Sequence, residues 1–214
     1  MKVSALVPIK LHSVRLKNKN FLIVKGKPLL VNIFKTLSKI KELDSVFCYS
    51  SEEKIMKLLP RNIKYLKRPK YLDKNNVKAN ELFRYGIERI ESEIIIICHA
   101  TSPFISSSSI IKGIKSLKTG KFRSSFSVKP INKYSWYKMK PINYNPKNMK
   151  KTQNLDPIYS ETGGFYAFFK NDYLKSNTRI NKKIKFIEVT EKESIDIDTR
   201  NDLEIARIFS EKKI

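Results

Sequence analysis

The chain has 214 residues, 41% of them hydrophobic, and a formal net charge of +24 from 44 Lys and Arg against 20 Asp and Glu. That length and apolar content suit one α/β domain with a real core and exclude global disorder, and the longest apolar run, Ile94 to Cys98, is strand-sized and far too short for a bilayer. The lysines are scattered over the whole chain, as compositional bias would scatter them, so nucleic acid is not an expected partner, although the excess favours anionic small molecules.

Taken in order, an apolar run from Val3 to Val7 stops at Pro8 and empties into a cation-dense loop, Lys10 to Asn20. A buried strand ending in a basic loop is how an α/β domain builds an anion site, because ligands bind beyond the carboxyl ends of such strands. Lys10 and His12 interrupt the run too early for a signal peptide, so a cytoplasmic location is expected. After the Gly26-Lys27-Pro28 turn, Leu30, Ile33, Phe34, Leu37 and Ile40 recur at helical spacing and predict a helix over Leu29 to Lys41. Val46 to Tyr49 reads as a strand. Ser51 then caps a helix that Pro60 stops, with Glu52 and Glu53 in its first turn. Ile63 to Leu66 is a brief strand, followed by Arg68-Pro69, a loop and a helix over Val77 to Glu91. The β-branched run Ile94 to Cys98 predicts a central strand buried on both faces.

Ser106 to Ser109 offer an N-cap for a helix to Leu117, and Ser124 to Val128 is a strand. The stretch 129–160 breaks the rhythm with four prolines and many aromatics, as an inserted functional or interface element does. Strands resume at Gly164 to Phe169 and Lys185 to Val189, and Thr199 with Asp202 makes a capping pair for a helix from Arg200 to Phe209. Alternating strands and helices predict a mainly parallel sheet with right-handed crossovers. Cys48 and Cys98, each in an apolar run, read as reduced core residues.

Four constellations carry possible chemistry. The opening loop offers Lys10, Ser13, Arg15, Lys17, Lys19 and Asn20 to phosphates, but lacks the Gly-rich pattern of a P-loop. Asp196 and Asp198 are spaced to reach one point from an extended segment, which suits Mg²⁺, and Asp198 also fits a plain helix cap. His99-Ala-Thr-Ser-Pro103 follows the most buried strand, with Thr101 and Ser102 able to donate hydrogen bonds. Tyr159-Ser-Glu-Thr-Gly-Gly-Phe-Tyr166 enters a strand with paired glycines, where something must come close to the backbone.

Together these motifs resemble the cytidylyltransferases that make CMP-activated acidic sugars, the CMP-sialic acid synthetase family. The shared features are Lys19-Asn20, Gly26-Lys27-Pro28-Leu29, Arg68-Pro69, Thr101-Ser102-Pro103, Gly163 with Tyr166, and Ser194-Ile-Asp-Ile-Asp-Thr199 unchanged. The family's loop Arg is Lys10 here, its Ser-Lys-Gly is Ser13-Val14-Arg15, and His99 and Thr162 replace a Gln and an Asn on the sugar side. The resemblance implies a three-layer, Rossmann-like α/β nucleotidyltransferase domain over 1–214, with 129–160 as a dimer-forming arm. It implies Mg²⁺-dependent transfer of CMP from CTP to the anomeric hydroxyl of an acidic, sialic-acid-like sugar, with Mn²⁺ an alternative ion. Arg15, Lys19, Asp196 and Asp198 would carry catalysis, the two aspartates as metal ligands. Pro8, Lys10, Ser13, Asn20 and Arg68 would join Arg15 and Lys19 around the nucleotide. His99, Thr101, Ser102, Thr162, Gly163 and Tyr166 would face the sugar. A homodimer with CTP and an acidic sugar as its small-molecule partners, and no membrane association, completes the expectation. The alternatives are another carboxylate- or phosphate-bearing acceptor, a basic nucleic-acid-binding module, or a non-catalytic homologue.

Overall fold

A computed structural model describes residues 1–11, 13 and 15–211, so His12 and Val14 of the opening loop lie outside the described residues. The elements are β1 (Val3–Pro8), β2 (Ile23–Val24), β3 (Lys27–Pro28), α1 (Leu29–Leu37), β4 (Ser45–Ser50), β5 (Lys64–Lys67), α2 (Ala79–Glu88) and β6 (Ile94–Cys98). They continue with α3 (Ser107–Lys118), β7 (Ser124–Ile131), β8 (Trp136–Tyr137), β9 (Lys140–Pro141), β10 (Ile158–Phe169), α4 (Lys170–Ser176), β11 (Ile184–Glu188) and α5 (Arg200–Glu211).

Seven strands form one sheet in the order β11-β7-β10-β6-β1-β4-β5. All but β10 run the same way; β10 lies antiparallel between β6 and β7. The chain builds outward from β1 through β4 and β5, then returns to place β6 on the other side of β1. The order therefore reverses between β1 and β6, and a crevice opens there beyond their carboxyl ends. Every residue of β6 is buried, as its unbroken β-branched run predicts. Alternate residues feed two cores. Val3, Ala5, Val7, Ile94, Ile96 and Cys98 pack with α1 and α3 on one face. Leu6, Tyr49, Ile95 and Ile97 pack with Phe83 and Ile87 of α2 on the other. Each buried Val, Leu, Ile or Phe among them contributes about 1.5–3 kcal/mol by leaving water. At Gly113 of α3 an added Cβ would meet the Phe165 ring at 2.5 Å, so only glycine lets this helix lie so close to β10.

Burial keeps both cysteines as thiols, pushing Cys48 up to about 12 and Cys98 higher still. The Ser106 hydroxyl accepts from the Ser109 amide and caps α3 as predicted. Two expectations need correction. Ser51 caps nothing: residues Glu53–Leu58 form a 3-10 helix that buries only Ile55, and Ser50 accepts from the Glu52 amide instead. The stretch 129–160 is not all irregular, because β7 runs on to Ile131 and pairs with the start of β10 at Ile158, Tyr159 and Ser160. Pro130 is tolerated in that ribbon because β11 ends its pairing at Val128, which leaves the far edge of β7 free. Residues 132–157 form the arm proper, with the β8–β9 hairpin and a cluster of Tyr134, Trp136 and Tyr144. No helix among the described residues is long and apolar enough to cross a membrane.

Candidate active site

The crevice at the strand-order reversal holds a cavity of about 310 Å³ lined by Pro8, Lys10, Ser13, Arg15, Lys19, Asn20, His99, Ala100 and Thr101. The end of β1, the basic loop and the exit of β6 thus converge, although some ninety residues separate them in sequence. Asn20 is buried, and its amide donates to the Lys10 carbonyl at 2.6 Å, which folds the loop back on itself. Lys10, which donates to Asn75 Oδ1 at 2.9 Å, also lines a second, adjoining cavity of about 500 Å³. Its other walls are Leu11, Ser13, Ser51, Glu52, Lys70, Asp73, Lys74 and Asn75. Most of these residues escape a reading of the sequence, since nothing local marks them as neighbours of the loop.

Arg68 belongs to the wall rather than to the open space. It is 1% exposed, and its guanidinium donates to the Ile9 carbonyl at 2.8 Å, the Tyr49 carbonyl at 3.3 Å and Asp73 Oδ1 through Nε at 2.9 Å. All its contacts are internal. In the free protein Arg68 braces the ends of β1, β4 and β5.

The two aspartates adjoin the first cavity through residues that line it, Asp198 beside Arg15 and Lys19 and Asp196 beside Thr101. Ile197 points into a small core with Val24, Leu29, Phe104 and Leu203, so Asp196 and Asp198 share the opposite face as the spacing predicts, outside any regular strand. The Ile197 amide donates to the Thr101 carbonyl at 2.8 Å, which ties the segment to the exit of β6. Asp202 receives the Asp198 amide, the Thr199 amide and the Thr199 hydroxyl, so the predicted capping pair fixes the start of α5. Burial opposes the charge on Asp202, but these donors outweigh it and hold its carboxyl below the usual range.

Asp198 accepts Lys19 Nζ and Arg15 Nη1, both at 2.8 Å. Lys19 is only 12% exposed at its side chain and Arg15 is 67% exposed, so Lys19 is the fixed partner and Arg15 the adjustable one. Asp196 differs. Burial raises its pKa, the Thr101 hydroxyl opposes that rise and the Asp198 charge adds to it. Its Oδ1 is buried without a hydrogen-bond partner among the described residues. A buried carboxylate oxygen with nothing to bind, beside a second carboxylate, fits a hard divalent cation. No group of three or more His, Cys, Asp or Glu among the described residues is arranged as a metal cage, so any such ion would share its remaining ligands with substrate or water.

The remaining sequence candidates divide. His99 and Thr101 line the cavity. Burial lowers the His99 pKa to about 4, with Arg179 and Lys19 adding to the effect and Asp198 opposing it, so the imidazole is neutral at pH 7. Ser102 is wholly buried beneath the turn with its hydroxyl unpartnered, and does not line the cavity. Thr162 is buried too, and donates to Ser127 Oγ at 2.8 Å. Ser127 in turn accepts the Phe165 amide at 3.1 Å, supporting a bulge between Glu161 and Tyr166 where β10 slips against β7. In that bulge Gly163 adopts φ +71°, and an added Cβ would stand 3.5 Å from Asp196 Oδ2. A side chain there would be strained by the positive φ, although 3.5 Å is an ordinary contact distance. Tyr166 donates its hydroxyl to Glu161 at 2.6 Å, and its ring packs edge-on to His99. Sequence reasoning missed Arg179, whose guanidinium stacks 4.0 Å from the Tyr166 ring centroid and 5.2 Å from that of Phe83.

A family model described as cytidylyltransferase matches residues 4–213. The chain belongs to the cytidylyltransferase family. It is 24% identical to the N-acylneuraminate cytidylyltransferase of Escherichia coli over 99% of its own length and 53% of that protein's, so it spans about half of that relative. Among solved structures, a CMP:2-keto-3-deoxy-manno-octonic acid synthetase complexed with CTP superimposes with a TM-score of 0.76 at 14% identity over the whole of both chains. The 4-diphosphocytidyl-2C-methyl-D-erythritol synthase of Anaerococcus prevotii does so with a TM-score of 0.71 at 16% identity over 99% of each chain. Both likenesses support the Rossmann-like α/β nucleotidyltransferase fold of this family member.

Proposed function

We propose that the chain transfers the cytidylyl group of CTP to the anomeric hydroxyl of an acidic, sialic-acid-like sugar in a Mg²⁺-dependent reaction that releases pyrophosphate. The observation that carries this reading is the convergence of Lys10, Arg15 and Lys19 with Asp196 and Asp198 at the carboxyl ends of β1 and β6. The family match and the N-acylneuraminate relative support the nucleotide and the acceptor class respectively.

In this mechanism the sugar hydroxyl attacks the α-phosphorus, the bond to pyrophosphate breaks, and the hydroxyl proton is lost to solvent. Negative charge builds on the phosphoryl oxygens and the leaving group, so the protein's task is positioning and electrostatic stabilisation. Lys10, Arg15 and Lys19 neutralise the triphosphate, with the Ser13 hydroxyl beside them. Asn20 and Arg68 serve by holding the loop in shape. In the free protein Asp198 ties down Arg15 and Lys19; an incoming triphosphate competes for both cations and frees the carboxylate. Asp196 and Asp198 would hold Mg²⁺, or Mn²⁺ in its place, and the bound ion would offset the phosphate charge. Neutral His99 and the Thr101 side chain form the acceptor side of the cavity, with the Gly163 bulge and Tyr166 behind them.

Arg15→Ala tests the loop. It should raise the KM for CTP about tenfold, the worth of one charge-assisted contact, and leave the KM for the sugar unchanged. Mass spectrometry of the product should show a CMP-sugar; an unchanged KM for CTP removes Arg15 from the site.

The arm supports a homodimer, since Trp136, Tyr137 and Met139 are 57%, 63% and 90% exposed on a segment that packs mainly against itself. Sedimentation at micromolar concentration should show a dimer that the deletion of residues 133–156 converts to monomer. A native monomer contradicts it.

A further inference from the structure

Arg179 lies in the loop between α4 and β11, and that loop is pinned. Asn177 takes a left-handed turn at φ +54°, the Asn181 amide donates to Ser124 Oγ at 3.1 Å, and the Arg123 amide donates to the Lys183 carbonyl at 2.8 Å. The guanidinium is held against two aromatic rings, Tyr166 and Phe83, and both rings pack edge-on to His99, which lines the cavity. Stacking covers one face of a guanidinium and leaves its N–H edges able to bind an anion.

Arg15, Arg68, Arg84, Arg123 and Arg200 each have a carboxylate partner, whereas Arg179 has none among the described residues. Arg61, Arg89 and Arg207 also lack one, but they are exposed to solvent, which screens them. Glu161, which accepts the Tyr166 hydroxyl on the same ring, forms no ion pair with Arg179. A half-buried, rigidly presented cation without a counter-ion, next to the acceptor side of the cavity, calls for an anion from outside the chain.

We propose that Arg179 is a specificity-determining residue that recognises the carboxylate of the acceptor, and that the Arg179–Tyr166–Phe83 stack is the anion subsite. The inference rests on the cytidylyltransferase reading and adds a residue to it. Lys10, Arg15 and Lys19 serve the phosphates on one side of His99, and Arg179 serves the acceptor's charge on the other. Discrimination against a neutral sugar then comes from an unpaired guanidinium left without its ligand.

The test uses the full-length chain with CTP and Mg²⁺, and N-acetylneuraminate, its carboxamide and 2-keto-3-deoxy-manno-octonate as acceptors. Arg179→Gln should raise the KM for an accepted acid at least tenfold, with kcat and the KM for CTP within twofold of native. Arg179→Lys should recover part of the loss. The native protein should use the carboxamide at least tenfold less well than the acid, and Arg179→Gln should remove that preference. Equal use of acid and amide by the native protein, or an Arg179→Gln KM for the acid within twofold of native, overturns the subsite and leaves the nucleotide reading standing. So does failure of both acids to react while CTP still raises the melting temperature. Absence of any response to CTP would count instead against the cytidylyltransferase reading.

Discussion

Asp198→Asn is expected to lower turnover with CTP and Mg²⁺ at least a hundredfold while the melting temperature stays within a few degrees of native. Several contributions act together. The substitution removes the carboxylate that pairs with two cavity-lining cations and leaves Asp196, whose Oδ1 has no partner among the described residues, as the remaining acid. It also releases Lys19 and Arg15, each 2.8 Å from Asp198, from the position in which they await the triphosphate. A hundredfold is about 2.7 kcal/mol of transition-state stabilisation, the size that loss of one preorganised electrostatic partner produces. The fold should survive because the start of α5 is held by Asp202 and Thr199, and the substituted residue keeps the backbone amide that donates to Asp202. Steady-state kinetics with thermal melts separate the two effects. Near-native turnover would remove Asp198 from the chemistry, and a collapsed melt would make it structural.

The second large effect is on stability. Arg68→Ala should cost about 3–5 kcal/mol, because it strips the Ile9 and Tyr49 carbonyls of a donor and leaves Asp73 without its buried partner. For a chain of this size that is a fall in melting temperature of roughly 6–20 °C. Lysine should not rescue it, since one ammonium cannot reach three acceptors fixed for a planar guanidinium. If Arg68 instead met the nucleotide directly, the melt would hold and only the affinity for CTP would fall. Denaturation and CTP titration of the same variant decide between brace and ligand.

Several elements are legible in the sequence because their causes are local. The unbroken Ile94–Cys98 run marks a strand with both faces covered, and the apolar spacing of Leu30, Ile33, Phe34 and Leu37 marks one face of a helix. Ser106 and the Thr199–Asp202 pair satisfy backbone donors within four residues of themselves, so they can be read without knowing the fold. The coupling of the basic loop to the Asp-x-Asp segment is legible only through the order of several motifs together. What stays hidden depends on distant pairing. Nothing near Ser127 announces that its hydroxyl supports a bulge in β10, and nothing near Arg179 announces two rings from other elements. The burial of Arg68 and Thr162 is hidden too, because motif spacing does not report it. The antiparallel insertion of β10 between two parallel strands likewise leaves no mark on its own period.

The central claim is that one crevice joins a CTP-phosphate cradle to a pair of carboxylates and an acidic acceptor. Pyrophosphate release, measured with CTP, ATP, GTP and UTP in turn against a panel of acidic sugars, with and without Mg²⁺, tests it most directly. Release with CTP alone, dependent on both the acid and the ion, is the predicted result. Release without preference among the four nucleotides, or none with CTP under any combination, would contradict it.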